Sequence, residues 1–317
     1  DFKLDELTST TYVFDLIMKN LSVFEIRPDL ITAQLEGKGL NWNLVNPKVI
    51  FSKQGSIEFD GLINQKETNV IARVKNLSID LLGVNPEIAK GSVFMDGEIK
   101  GDTFNPTITG SLYGESFNIM GVDLCRIKSK LLINNKTLLL SPILLNPCND
   151  SMIDGFASVD LITGALKAFN FSFHKLQLSA LKALIPDSYE PESTEGILAG
   201  AVSYNNSKDQ NAWSFHLDGR RLRVAGEFLD TVFAEGNVYG NQADIKNVFF
   251  RAFGGTVSIS GQLLNRNHFY GFFEGNSLEY DKMNFLKKII PDFSGELDFQ
   301  GNVDWHDSKK TGYFTVF

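Results

Sequence analysis

The chain has 317 residues, more than one hydrophobic core normally fills, so two or three units or one elongated array is expected. It is 43% hydrophobic and 21% charged, with 26 Phe, 8 Tyr, 3 Trp, 27 Gly and 9 Pro, which excludes disorder over most of its length and favours strands. A net charge of −8 excludes a nucleic-acid partner, which needs clustered Lys and Arg, and it disfavours direct docking on an anionic bilayer.

In chain order, Asp1 opens the sequence with no basic or apolar leader pattern, and the chain reads as a piece of something longer. The stretch Val49–Gly61 is a landmark of its own. It is repeated in kind at Val248–Gly261, with Pro142–Gly155 as a weaker middle copy. A leucine-rich run, Leu77–Pro86, is followed by Gly91–Gly97. The same unit recurs as Leu176–Pro186 with Gly196–Gly200, and as Leu278–Pro291 with Gly295–Gly301. These landmarks set a period of about 100 residues. The chain thus divides into a partial β repeat (1–76), two full repeats (77–175 and 176–277) and the start of a further one (278–317).

Within the repeats, strand alternation dominates. Phe169, Phe171 and Phe173 alternate with Asn170, Ser172 and His174. Trp213, Phe215 and Leu217 do so with Ser214, His216 and Asp218. Val257, Ile259 and Leu263 oppose Ser258, Ser260 and Gln262, and Phe293, Leu297, Phe299, Val303 and Trp305 oppose Ser294, Asp298, Gln300 and Asp304. Successive strand side chains point to opposite faces, so an antiparallel sheet with one apolar and one wet face is expected, of about eight strands per repeat. Gly295 and Gly301 among the apolar positions remove bulk and let the sheet curl. Short helices are predicted over Ser179–Ile185 and Tyr280–Ile290, each stopped by a proline. Of the Asp-Gly pairs at 60–61, 96–97, 154–155 and 218–219, several fall inside alternating runs and there read as bends, not hairpin tips.

No chemistry gathers on this pattern. The histidines, at 174, 216, 268 and 306, lack metal-ligand spacing, and no GxSxG or phosphate-loop motif occurs. The chain reads as non-enzymatic, without cofactor or metal. Cys125 and Cys148 read as small buried hydrophobes, with a disulfide in an oxidising compartment as the alternative. Arg220, Arg221 and Arg223 form the densest basic cluster, a solvated strand edge or a contact for an anionic headgroup.

The unit of short helix, leucine-rich run, proline and Gly-x-Leu-x-x-x-Gly, with the strand Phe253–Gly261, resembles the repeats of the AsmA-like family, which includes TamB-type members. The resemblance extends from about Leu21 to Val303. It implies a curved, taco-like β-groove in the periplasm of a Gram-negative bacterium, anchored to the inner membrane through a segment absent from this chain. It also implies phospholipid acyl chains as cargo and an Omp85-family outer-membrane barrel as a partner. Under that reading the groove is lined by Phe169, Phe171, Phe173, Trp213, Phe215, Leu217, Val257, Ile259, Leu263, Phe293, Leu297, Phe299, Val303 and Trp305. The residues alone favour the apolar face packing on itself, as the closed core of a sandwich or solenoid interaction protein. An outer-membrane barrel fits less well, because the aromatics are spread along the strands and not gathered in two girdles.

Overall fold

A computed structural model describes residues 11–316, apart from 20–27, 39–40, 52–54, 83–84, 88, 120, 149, 185–194, 207–210, 225–226, 266–267, 284–286, 288–293 and 307–308. The chain is mainly β, with nineteen strands among the described residues. The first ten are β1 (Thr11–Lys19), β2 (Leu30–Lys38), β3 (Asn41–Phe51), β4 (Gly55–Asn64), β5 (Glu67–Ser78), β6 (Ala89–Asp102), β7 (Thr107–Ile119), β8 (Val122–Asn134), β9 (Thr137–Pro147) and β10 (Met152–Asp160). The others are β11 (Leu166–Gln177), β12 (Glu195–Asn206), β13 (Asn211–Val224), β14 (Glu227–Tyr239), β15 (Gln242–Ala252), β16 (Gly255–Asn265), β17 (His268–Glu279), β18 (Glu296–His306) and β19 (Lys309–Val316).

Two compact units result, Asp1–Asn146 with Phe156–Ala165, and Pro147–Gly155 with Leu166–Phe317. In the first unit β1 to β9 follow one another in sequence order, and in the second β11 to β19 do the same. Every ladder of known register is antiparallel. In both units the connections alternate. One set is short: it includes 65–66, 103–106 and 135–136 in the first unit, and 207–210, 240–241, 266–267 and 307–308 in the second. The opposite set includes the longer connections, 79–88, 178–194 and 280–295.

The longer connections hold the only helical structure of more than one residue among the described positions: 3-10 segments at Ile79–Leu82, Leu178–Leu184 and Tyr280–Lys282. The short helices expected over 179–185 and 280–290 are 3-10 at Leu178–Leu184 and Tyr280–Lys282, with an α-type bond from the Lys287 N–H to the Met283 carbonyl. The Met283 N–H donates to the Tyr280 carbonyl three residues back, the tighter 3-10 bond. Ile185 and most of 284–290 lie outside the described residues. The 3-10 segments follow β5, β11 and β17, so six strands separate them where about eight were expected. All four Asp-Gly pairs lie inside strands, in β4, β6, β10 and β13.

Bulges interrupt the strands at the end bearing the longer connections. Asn76, Ser116, Lys175, Arg221 and Ser277 adopt left-handed φ between 49° and 57°. In β5, β11 and β17 two residues there face one on the next strand: Lys75–Asn76, His174–Lys175 and Asn276–Ser277. The extra residue restores the inward direction one place later. The next residue, Leu77, Phe117, Leu176, Leu222 or Leu278, is buried in every case. The core of the first unit gathers there: Leu77 and Phe117 with Phe51, Val74, Ile79, Val93, Leu124 and Ile127. In the second unit Leu278 packs with Val257 and Met283.

Neither cysteine is free: Cys125 and Cys148 are both disulfide-bonded, and both positions are exposed. The reading of buried thiols is thereby corrected. No helix among the described residues is long and apolar enough to cross a membrane.

Candidate functional site

Directly opposed residues of an antiparallel pair share a face, so registers can be followed from strand to strand. In the second unit one such row runs Phe173, Gly200, Leu217, Ala234, Val248, Ile259, Phe273, Gly301. A second runs Phe171, Val202, Phe215, Gly236, Ile245, Gly261, Gly271, Val303. A third, nearest the short turns, runs Phe169, Tyr204, Trp213, Val238, Ala243, Leu263, Phe269, Trp305. The fourth, toward the bulges, runs Leu176, Leu198, Gly219, Val232, Phe250, Val257, Gly275, Phe299. No charged residue enters any of them. The row between the second and third is Asn170, Ser203, Ser214, Asn237, Asp244, Gln262, Tyr270, Asp304, on the wet face.

The residues singled out from the sequence therefore stand together on one face, with Leu297 one row beyond Phe299, opposite Leu278. Phe293 lies outside the described residues. Phe173 and Val257 are buried, Trp213 and Trp305 are exposed, and the others are half-buried. Sequence reading missed the lanes through β12, β14, β15 and β17, notably Tyr204, Val238, Ile245 and Phe273. Their signal was present: Val232, Ala234, Gly236 and Val238 alternate, while in β17 the pair Phe272–Phe273 hides which ring turns inward.

Among the described residues the strands make their main contacts with their sheet neighbours and with the adjoining 3-10 segments. The first unit has lanes of its own, such as Gly61, Val70, Ile99, Ile108, Ile133 and, beside it, Phe59, Ala72, Gly97, Gly110, Leu131.

Most glycines in these lanes are not gaps. A Cβ added at Gly236 would meet the ring of the opposed Phe215 at 2.7 Å, and at Gly301 that of Phe273 at 2.7 Å. At Gly275 it would meet Phe299 at 2.6 Å. The sheet's own rings lie across the glycines, so Gly301 does not leave a bare stretch of floor as its lack of bulk suggested. Gly295, with nothing within 4 Å, does stay open.

The wet face carries the polar groups. The Ser203 and Ser214 hydroxyls bond each other at 2.6 Å beside His216, Glu235 and Lys246, around a depression of about 470 Å³. Lys246 donates to Glu235 at 2.7 Å, which holds the Glu235 carboxyl below, and Lys246 above, its ordinary range. At the bulged end Arg221 and Arg223 share a cleft of about 680 Å³ with Glu195, Glu227, Asp230 and Lys282. Arg220 lies 3.7 Å from Asp218, both well exposed, a pair worth little. No cluster of three His, Cys, Asp or Glu able to hold a metal occurs among the described residues.

No family model, curated protein or solved structure matches the chain.

Proposed function

We propose that this chain is a non-enzymatic segment of a lipid conduit, in which phospholipid acyl chains lie on the apolar face of the sheet. The observation that carries the reading is the set of four adjacent apolar rows running from β11 to β18, none of which holds a charged residue over those strands. Two residues along a strand span about 6.7 Å, so four rows make a band about 20 Å wide. Half a bilayer's hydrocarbon is about 15 Å, so the band accommodates one acyl chain. Leaving some fifteen methylenes in water costs on the order of 12 kcal/mol, so a lipid in transit needs a continuous apolar path.

Further parts of the reading rest on the resemblance of the repeats to the AsmA-like family. These are a curved groove assembled from repeats of about 100 residues, a periplasmic setting between two membranes, anchorage through another segment and an Omp85-family barrel at one end. The spacing of the 3-10 segments, one after every sixth strand from β5 onward, supports the repeat. The disulfide-bonded cysteines suit an oxidising compartment such as the periplasm.

The test is to purify the protein without detergent, extract it with organic solvent and look for phospholipid by mass spectrometry. Phospholipid is expected. Phe299→Asp and Ile259→Glu should each lose it while keeping the β-sheet circular-dichroism spectrum. An extract free of lipid from the unaltered protein sinks the conduit, and unfolding of both variants favours a closed core.

A further inference from the structure

The two rims of the apolar band differ, and the difference assigns a direction to any amphiphile lying on it. At the bulged rim the chain seals its own apolar surface. Leu222 is 6% exposed and Leu278 1%, and in the second unit Met283, just past a 3-10 segment, clusters with Val257 and Leu278, with Phe250 and Phe299 packed against that cluster. In the first unit Ile79 and Leu81 of another 3-10 segment pack on Leu77, Val93 and their neighbours. Toward the short turns the band stays accessible: Trp213 is 42% exposed and Trp305 47%.

That accessible rim is aromatic. Phe169, Tyr204 and Trp213 form one cluster, with ring centroids 4.9 to 5.8 Å apart. Phe269 stands opposite Trp305 farther along the same row. All three tryptophans of the chain occupy this position. In the first unit Trp42 lies second in β3, opposite Gly37, at the end of β3 that follows β2 and on the face of Leu44 and Ile63. Indole and phenol groups, apolar in body and polar at one edge, favour the boundary between hydrocarbon and headgroup.

Resting on the conduit reading, we infer that the short-turn rim is the headgroup side: a phospholipid lies along the strands with its phosphate at the tryptophan row and its terminal methyl at the bulges. Movement from strand to strand, about 4.8 Å each, then keeps the headgroup in water while the acyl chain stays on the sheet.

The test uses the full chain carrying Trp42→Phe, so that Trp213 and Trp305 alone emit, loaded with phosphatidylcholines brominated either near the glycerol or near the chain end. Bromine near the glycerol should cause the larger loss of emission. In a chain with all three tryptophans changed to Phe and carrying Phe299→Trp, the order should reverse. Equal loss from both lipids, or a larger loss from chain-end bromine at Trp213 and Trp305, overturns the orientation while extracted lipid leaves the conduit standing. Loss from neither lipid, with none extracted, overturns both. Because the native pair gives a ranking unaided, poor folding of the Phe299→Trp chain leaves the result decisive.

Discussion

Glu58 sits between two cations on the neighbouring strands, with Lys48 at 2.7 Å and Lys75 at 2.6 Å. The hydrogen bond from Lys48, then that from Lys75, lowers its carboxyl pKa from 4.5 to about 2. A carboxylate held below its unfolded value stabilises the fold at pH values above about 4.5, and that contribution disappears as pH falls toward 2. The groups are exposed enough for solvent and salt to weaken the effect. Glu58→Gln should therefore lower stability at neutral pH and make a much smaller difference near pH 2. Urea midpoints of both proteins at the two pH values check this, and an equal difference at both removes the ion pairs from the account.

At the scale of the strand, alternation is legible in the sequence and the bulge is not. Phe169 to Phe173 and Leu297 to Trp305 announce their inward face because period two runs unbroken. A bulge adds one polar residue, as in His174–Lys175 between Phe173 and Leu176, and single-residue slips look like ordinary noise until the partner strand is known. The glycines were legible as apolar-face positions, but their occupants were not, since the covering ring comes from another strand. The proline-stopped runs were read as short helices, and where they are described they begin as 3-10 turns at Leu178–Leu184 and Tyr280–Lys282. The bulge itself makes a prediction. Lys175 has φ +52°, which costs a side chain about 1 kcal/mol and glycine almost nothing. Lys175→Gly should raise stability by up to about 1 kcal/mol, and Lys175→Val should lower it by at least as much, read from denaturant midpoints. Loss of stability in the glycine variant contradicts the assigned conformation.

Across the whole chain, the two cysteines are the most direct check. A thiol-alkylating reagent should leave the mass of the native, unreduced protein unchanged, and should add two adducts only after reduction. Labelling without reductant removes one support for an oxidising compartment. The ladders have a different kind of consequence. Within each unit successive strands pair in sequence order among the described residues, so most closures are local and the longest span the connections 178–194 and 280–295. All-β proteins usually fold slowly because their pairings are non-local; this arrangement escapes that constraint. Each hairpin can close as soon as its second strand leaves the ribosome, so pairing can proceed strand by strand in the direction of synthesis.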